Sequence, residues 1–213
     1  MNMIESVTVG VLATNCYFLL CDNTHESLII DPGFSVEEAN AVLEKIRRSR
    51  AKVKYIVNTH GHFDHISGNS LLKDALKAEI LIHKDDACML TDPHRNLSYM
   101  LGLTISSPKP DRLLEDGEKI EVGELQLIVM HTPGHTEGSI SLFCKEENAV
   151  FTGDTLFAGS VGRTDLPGAS LQKLLKSLND RLLKLPDETI VYPGHGGKTT
   201  IGRERRTNPF LNL

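Results

Sequence analysis

The stretch Thr59-His60-Gly61-His62-Phe63-Asp64-His65 contains three histidines and one aspartate within seven residues. It directly follows Val53-Lys54-Tyr55-Ile56-Val57, a run of β-branched and aromatic residues that predicts a buried strand. Side chains that leave a strand end at short, uneven spacing can converge on one point, as metal ligands must. Imidazole nitrogens and carboxylate oxygens suit zinc, iron or manganese, and the stretch has no cysteine of the kind that closes a structural zinc site. The sequence therefore predicts a metal site at the end of this strand.

Length and net charge limit the number of domains and the classes of partner. The 213 residues predict a single domain, residues 1–213, that is long enough to bury a sizeable core. The net charge is −5 and there is no basic tract, so we do not expect nucleic acid as a partner. No segment approaches the roughly 18 uninterrupted apolar residues of a membrane span, so we expect no membrane partner either.

The cysteines and the N-terminal residues indicate the compartment. The four cysteines, Cys16, Cys21, Cys88 and Cys144, have neither zinc-ribbon nor redox spacing, and reduced thiols fit this length better than a disulfide scaffold. The apolar run 7–20 lacks the preceding Lys or Arg of a signal peptide. We therefore expect a cytoplasmic protein.

Hydrophobic periodicity predicts strands in runs, separated by about four helices. Strands are expected at 3–9, 14–21, 27–30, 53–57, 80–82, 119–122, 125–130, 139–144, 149–151 and 189–192. Helices are expected after Ser35, at 67–78, from Ser170 to Pro186 and from about Thr200, with Ser35 and Glu38 forming a capping box. Residues 92–116 have three prolines and little periodicity, which predicts an irregular, mobile loop near the mouth of the site. Such a pattern places helices outside layered sheets.

Three further strand ends each supply a candidate ligand. His135 ends His131-Thr132-Pro133-Gly134-His135, Asp154 lies in Phe151-Thr152-Gly153-Asp154-Thr155, and His195 lies in Tyr192-Pro193-Gly194-His195-Gly196. The glycine before each ligand allows a sharp turn, so that the next side chain can point back over the sheet edge. A single histidine after a strand is more often an ordinary turn residue. Four such strand ends together predict one convergent set of nitrogen and oxygen ligands.

The motifs THGHFDH, HTPGHTEGS, FTGDTLF and YPGHG resemble those of the metallo-β-lactamase superfamily, and within it those of the short, single-domain glyoxalase II-like hydrolases. The resemblance extends from Thr14 to the Thr207-Asn208-Pro209-Phe210 tail. It implies an α+β fold, a four-layer αβ/βα sandwich of two mixed sheets with a metal site along one edge. It also implies two divalent metal ions, the first held by His60, His62 and His135, the second by Asp64, His65 and His195, with Asp154 bridging them. We expect zinc first, although the same ligands accept iron or manganese.

Differences between this sequence and other branches of the superfamily narrow the range of functions that the resemblance implies. Flavodiiron proteins carry Glu where His62 stands, and the commonest zinc β-lactamases use a cysteine ligand, whereas none of the four cysteines here lies in a motif. The RNA-processing branch carries a large inserted domain, for which 213 residues leave no room. Two hypotheses for the enzyme remain: a binuclear hydrolase of acylglutathione thioesters such as S-lactoylglutathione, and a mononuclear iron persulfide dioxygenase. The run Gly162-Arg163-Thr164-Asp165 resembles both branches. A non-catalytic metal-binding scaffold is disfavoured by the full ligand set.

The ligand set also predicts the chemistry of a hydrolase. Two divalent ions about 3.5–4 Å apart can share a water and lower its pKa from about 16 to about 7. The resulting hydroxide would attack the acyl carbon while one metal stabilises the developing oxyanion. Asp154, as the bridge, and Asp64, which could also orient the hydroxide, are therefore the candidate catalytic residues. No G-x-S-x-G elbow of a serine hydrolase is present.

Two further residues complete the predicted site. Asp31 lies at the end of a neighbouring strand, where it could accept a hydrogen bond from a ligating histidine or could simply cap the turn before Pro32. The resemblance places Arg163 against a carboxylate of a small anionic thioester, and the alternative is that Arg163 pairs with Asp165. The chain ends soon after His195, without the extra helical domain of full-length glyoxalase II, so we expect a weaker grip on glutathione. The sequence is compatible with a monomer or a small homo-oligomer.

Overall fold

Two six-stranded mixed sheets form the centre of the protein, whose structure, a computed structural model, describes residues 3–211. The first sheet contains, in spatial order, β1 (Met3–Val9), β2 (Thr14–Leu20), β3 (Glu26–Ile30), β4 (Lys52–Val57), β5 (Glu79–His83) and β6 (Arg112–Leu114). β1, β2 and β3 pair antiparallel, whereas β3, β4, β5 and β6 are parallel. The carboxyl ends of these four parallel strands therefore meet at one edge.

The second half of the chain builds the other sheet. Its strands are β7 (Lys119–Val122), β8 (Leu125–His131), β9 (Ile140–Cys144), β10 (Ala149–Gly153), β11 (Leu156–Phe157), β12 (Ser160–Val161), β13 (Ile190–Pro193) and β14 (Thr199–Thr200). β11 and β12 pair separately, and the others lie in the order β14-β13-β10-β9-β8-β7. β8 and β10 are both antiparallel to β9, and β13 is parallel to β10. Thus β8, β10 and β13 run in one direction and end at the same edge.

Helices cover the outer face of each sheet. They are α1 (Val36–Ser49), α2 (Phe63–Ile66), α3 (Asn69–Leu76), α4 (Leu171–Asp180) and α5 (Ile201–Thr207), with 3-10 helices at Lys84–Thr91, Ser98–Leu101 and Leu182–Lys184. None of the helices within 3–211 is long and apolar enough to cross a membrane.

Three apolar clusters show the layers, because successive side chains of a strand point to opposite faces. In β3, Leu28 and Ile30 join the cluster between the two sheets, whereas Ile29 packs outward with residues of α1 and α3. In the second sheet, Phe151 faces the first sheet, and Val150 packs outward against α4. The order is helix, sheet, sheet, helix, which confirms the predicted four-layer αβ/βα sandwich.

Helix boundaries follow local chemistry. Ser35 and Glu38 form the predicted capping box at the start of α1. The helix predicted at 67–78 begins instead at Asn69, after a break at Gly68. A Cβ at Gly68 would lie 2.5 Å from the Pro32 carbonyl oxygen, so the close approach of these two turns requires glycine. The helix predicted to reach Pro186 ends at Asp180 and continues only as a 3-10 turn.

The segment 92–116 is more regular than predicted. It contains the 3-10 helix Ser98–Leu101 and the edge strand β6, which pairs with β5. β6 has only three residues and closely follows two prolines, so its apolar pattern is too short to indicate a strand. The structure places this segment beside the site, because the Phe63 N–H donates to the Asn96 carbonyl oxygen at 3.0 Å. Its mobility remains a prediction.

A set of hydrogen bonds joins the two sheets at the edge where the strands end. The Tyr17 hydroxyl of β2 donates to the Pro193 carbonyl oxygen at 2.7 Å. The Asn15 side-chain amide donates to the carbonyl oxygens of Pro193 and Gly196, at 3.1 and 2.8 Å. β2 is thereby attached to the segment that carries His195.

Tyr17→Phe removes the hydroxyl from this junction and leaves the ring in place. We expect the free energy of unfolding to fall by about 1 kcal/mol, because the buried Pro193 carbonyl loses one donor. Urea denaturation followed by circular dichroism measures the change. Tyr55→Phe, at a half-buried ring of β4, is the matched control. Equal stability changes in the two variants would contradict a specific role for the Tyr17 hydroxyl.

Candidate metal centre

The seven predicted ligand residues lie together at the edge where the strands of both sheets end. His60 and His62 follow β4, and Asp64 and His65 lie in the short helix α2 that comes next. The other three, His135, Asp154 and His195, follow β8, β10 and β13. Asp154 and His195 are partly accessible, and the other five residues are buried.

One group of nitrogens consists of His60, His62 and His135. The Nδ1 atom of His62 lies 3.1 Å from His60 Nε2 and 2.9 Å from His135 Nε2. Burial lowers the pKa of His60 well below its ordinary value. Burial, and next the neighbouring His135, lower the pKa of His62 to about 3. His60 and His62 are therefore neutral at physiological pH, which is the form in which imidazole binds a metal ion.

A second group combines imidazoles with carboxylates. Asp64 Oδ2 lies 3.4 Å from His65 Nε2 and 3.3 Å from His195 Nε2. Burial alone would lower the pKa of His65, but the carboxylates of Asp64 and Asp154 outweigh it and raise that pKa to about 9. The same carboxylates outweigh burial at His195 and raise its pKa to about 10. This half of the site is thus rich in negative charge.

Asp154 contacts both groups. Its Oδ2 atom lies 3.6 Å from His135 Nε2 in the first group and 3.5 Å from His195 Nε2 in the second. Its Oδ1 atom lies 3.5 Å from His65 Nε2. A Cβ at Gly194 would lie 2.1 Å from Asp154 Oδ1, so the chain can pass this carboxylate only at a glycine.

The residues present fit a pair of divalent cations. Within each of the two groups, the ligand atoms lie within 4.8 Å of one another. The groups are His60, His62 and His135, and Asp64, His65 and His195. His65 Nε2 and Asp154 Oδ1 are buried and form no hydrogen bond with any residue of 3–211. An unpaired buried polar atom costs about 1–3 kcal/mol, and coordination to a cation would remove that cost. Five imidazoles and two carboxylates form a donor set that suits zinc, iron or manganese.

Asp31 holds part of this arrangement in place. Its Oδ2 atom lies 3.0 Å from His65 Nδ1, the ring nitrogen that faces away from Asp64. Asp31 also accepts two hydrogen bonds from Thr59: Oδ1 accepts from the Thr59 N–H at 2.7 Å, and Oδ2 accepts from the Thr59 hydroxyl at 2.6 Å. Asp31 therefore makes both the predicted contact with a histidine and a contact with the turn that leads into His60. Contacts of this kind orient ligating imidazoles.

Asp86, which the sequence reasoning missed, links two of the ligand-bearing loops. This buried carboxylate accepts hydrogen bonds from the Gly61 N–H at 3.0 Å, the Thr136 hydroxyl at 2.7 Å and the Gly138 N–H at 2.7 Å. Gly61 separates His60 from His62, and Thr136 follows His135. Asp86 follows β5, which is parallel to β4, so the rule that parallel strands end at one edge could have identified it.

Thr14 is a second residue that the sequence reasoning missed. Its hydroxyl donates to Asp64 Oδ2 at 2.9 Å, and the side chain is fully buried. A Cβ at Gly33 would lie 1.6 Å from the Asp64 carbonyl oxygen, so the turn after β3 must pass α2 at a glycine. β2 and β3 thus both fix the position of Asp64.

Arg163 lines the cavity of about 440 Å³ that opens above the ligand residues. Its guanidinium donates two hydrogen bonds to Asp165, at 3.0 and 2.9 Å, and both side chains are 68% exposed. The pairing considered as the alternative for Arg163 is therefore present in the structure. The Arg163 carbonyl oxygen also lies 2.9 Å from His135 Nδ1. The backbone of Arg163 thus positions a ligand residue, and its side chain lies at the cavity edge.

A further histidine pair lies outside the site. The rings of His83 and His131 stack with centroids 4.1 Å apart and planes 12° apart, close to Asp85. A ligated ion lies near the plane of each imidazole ring, and two nearly parallel stacked rings cannot both meet that condition. This pair is therefore a packing contact.

Comparison with known proteins agrees with the fold. Residues 9–195 match the family described as the metallo-beta-lactamase superfamily, and the protein belongs to that superfamily. It is 36% identical over 211 residues to hydroxyacylglutathione hydrolase GloC of Haemophilus influenzae, with 98% of each chain covered.

Two solved structures are similar along nearly the whole chain. The BLEG-1 B3 metallo-beta-lactamase superposes with a TM-score of 0.93 at 38% identity, covering 99% of this chain and 100% of the other. TTHA1623 in a di-iron-bound form superposes with a TM-score of 0.85 at 40% identity, covering 97% and 100%. The protein thus has the fold and the His/Asp clusters of a metallo-hydrolase superfamily.

Removing Asp154 is expected to affect both metal positions, because its carboxylate contacts both groups of ligands. Asp154→Ala should retain well under one equivalent of metal per chain after dialysis. His195→Ala should retain about one equivalent, since it leaves His60, His62 and His135 intact. Inductively coupled plasma mass spectrometry gives the metal content of each variant. His94→Ala, an exposed histidine outside the site, is the control. Wild-type metal content in Asp154→Ala would contradict the bridging assignment.

Asp86→Ala is expected to weaken metal binding about 10- to 100-fold, as loss of a residue that orients ligands typically does. It leaves two backbone N–H groups and one hydroxyl without their buried acceptor, so the free energy of unfolding should also fall by about 2–3 kcal/mol. Competition with a metallochromic chelator measures the affinity. Asp85→Ala removes the neighbouring exposed carboxylate and should change neither quantity much.

Proposed function

We propose that the protein is a binuclear metal-dependent thioester hydrolase that acts on acylglutathione-type thioesters such as S-lactoylglutathione. The net reaction converts a thioester and one water into a carboxylic acid and a thiol. The observation that carries the proposal is the position of Asp154, which contacts both ligand groups at the base of a cavity edged by Arg163. The similarity to a hydroxyacylglutathione hydrolase supports the choice of substrate.

The ligand residues define what a bound metal would contribute. His60, His62 and His135 would hold one ion, Asp64, His65 and His195 the other, and Asp154 would touch both. Divalent ions in such a pair acidify a water and stabilise the negative charge that develops on an acyl oxygen.

The remaining chemistry belongs to the side chains. Although burial opposes it, the neighbouring His65 and His195 hold the pKa of the Asp64 carboxyl below its ordinary value. Asp64 therefore stays ionised and can orient an attacking water by accepting a hydrogen bond from it. The thiol product has a pKa of about 8.5, so the departing sulfur needs no strong general acid. Among the described residues that line the cavity, the acidic ones are Asp64 and Asp154, and both are assigned as metal ligands. The cavity therefore needs no further carboxyl group to protonate the departing sulfur.

Arg163 is proposed to bind the anionic end of the substrate. Its exposed guanidinium can form two parallel hydrogen bonds with a carboxylate, as it does with Asp165. Substrate would then exchange with Asp165 for the same guanidinium. Because Asp165 competes with the substrate for this guanidinium, we expect the thiol part of the substrate to bind weakly.

The main alternative within the superfamily is a mononuclear iron persulfide dioxygenase. Such an enzyme needs two histidines and one aspartate, whereas here a second group, Asp64, His65 and His195, also has its ligand atoms within 4.8 Å. Two metal ions per chain favour the hydrolase, and one iron per chain favours the dioxygenase. Reconstitution with zinc, iron and manganese in turn, followed by metal analysis, separates them.

A β-lactam is the second substrate class to include, because the chain is 38% identical to a B3 metallo-beta-lactamase. The decisive experiment assays each reconstituted form on S-lactoylglutathione, a neutral thioester, a persulfide and a β-lactam. We expect hydrolysis of the thioesters to be fastest. Turnover of only the β-lactam or only the persulfide would overturn the proposal.

Arg163→Ala is expected to raise KM for S-lactoylglutathione about fivefold with kcat nearly unchanged, because an exposed ion pair contributes up to about 1 kcal/mol of uniform binding. Steady-state kinetics should show no change on a neutral thioester. Asp165→Ala is the matched control: it frees the guanidinium and should lower KM for the anionic substrate. Equal losses on anionic and neutral substrates would show that Arg163 supports the fold instead.

A further inference from the structure

The walls of the cavity above the metal-binding residues are apolar. Besides the ligand residues, they consist mainly of Leu12, Leu97, Met100, Leu101, Phe157 and Leu166. Arg163 is the sole Lys or Arg among the lining residues in the described part of the chain, and it is already paired with Asp165. A small polar acyl group such as lactoyl would leave this apolar surface without a partner.

The apolar residues around the opening are also unusually exposed. Leu12 is 47% exposed, Met100 68% and Leu101 55%. Single exposed apolar side chains are common, but a group around a cavity marks a ligand-binding surface. Leu12 lies in the turn between β1 and β2, and Met100 and Leu101 belong to the 3-10 helix of segment 92–116. Two separate parts of the chain thus present apolar side chains to one cavity.

The segment that carries Met100 and Leu101 is fixed by a buried amide. The Asn96 side chain donates to the carbonyl oxygens of Met89, at 3.2 Å, and Ile105, at 2.9 Å, and accepts from the Ser98 N–H at 3.0 Å. These bonds hold Leu97 at a φ of +68°, a conformation that is costly for a branched side chain. Strain of this kind is typical of functional positions.

The segment is also tied directly to the ligand residues. The Asn96 carbonyl oxygen accepts a hydrogen bond from the N–H of Phe63, the residue after His62. This hydrogen bond joins the segment that carries Met100 and Leu101 to the residue beside His62.

We propose that the preferred substrate carries an unbranched apolar acyl chain, longer than acetyl or lactoyl, which packs against Leu12, Leu97, Met100 and Leu101. This inference rests on the proposed function and specifies its substrate. Arg163, the one guanidinium among the described residues that line the cavity, takes the anionic thiol end, which leaves the apolar walls for the acyl end.

The test uses acyl thioesters of N-acetylcysteamine, a neutral thiol that gives Arg163 no carboxylate to bind. We expect kcat/KM to rise about two- to fourfold for each added methylene from acetyl to octanoyl, as partial to full burial of the chain requires. In the double variant Met100→Ser/Leu101→Ser, this dependence on chain length should flatten.

Leu113→Ser is the matched control. Leu113 is 50% exposed on the edge strand β6 and does not line the cavity. Its variant should keep the wild-type dependence on chain length. A reversed series, S-alkyl thioacetates of increasing length, places the apolar chain on the thiol side. A steeper dependence in that series than in the acyl series would overturn the assignment to the acyl group.

A binding measurement separates failure of this inference from failure of the proposed function. Isothermal titration calorimetry compares octanoate with acetate on the metal-loaded wild type and on the double variant. Octanoate should bind at least tenfold more tightly to the wild type and lose that advantage in the variant. Octanoate preference without thioester hydrolysis would refute the proposed function and retain the apolar subsite. Hydrolysis of all thioesters at equal kcat/KM, with equal binding of octanoate and acetate, would refute the subsite alone.

Discussion

Concentrating five imidazoles and two carboxylates at one sheet edge is the constraint on which the rest of the structure depends. Their ligating atoms face one another, and two of them, His65 Nε2 and Asp154 Oδ1, form no hydrogen bond with any residue that the structure describes. Side chains that lack hydrogen-bond partners at these atoms must be oriented from behind. Asp31, Asp86 and Thr14 do this with buried hydrogen bonds, and each of them comes from a different strand or strand end of the first sheet.

The sandwich is the scaffold that makes this possible. Each sheet offers several strand ends at one edge, and packing the sheets face to face brings the two edges together. Glycines then allow the loops to approach more closely than a side chain would permit, as at Gly33 beside Asp64 and at Gly194 beside Asp154.

How much of this is visible in the sequence depends on how local each feature is. The apolar run of strands such as 27–30 and the capping box at Ser35 are local, and both appear in the structure where the sequence predicts them. The clustering of the seven ligand residues could also be predicted, because they lie just after four strands, and a glycine directly precedes His135, Asp154 and His195. The strand β6 and the break at Gly68 could not be predicted, since each depends on contacts with distant residues. For Asp86 the sequence allows only its place at this edge to be predicted, because it follows a strand parallel to β4, whereas its partners Gly61 and Thr136 are far from it in sequence and appear only in the structure.

The distribution of the ligand residues between the two sheets also bears on how the chain folds. His60 and His65 belong to the first half of the sequence, whereas His135, Asp154 and His195 belong to the second. Neither half alone supplies either complete group of ligands, so a high-affinity site can form only after the two sheets have docked. An ion held by the first group would close a loop from residue 60 to residue 135, and an ion held by the second group would close a loop from residue 64 to residue 195. Each would lower the entropy of partly open states in which the sheets have separated. Metal binding would therefore be a late folding event, and the bound ions would stabilise the contact between the two halves of the sandwich.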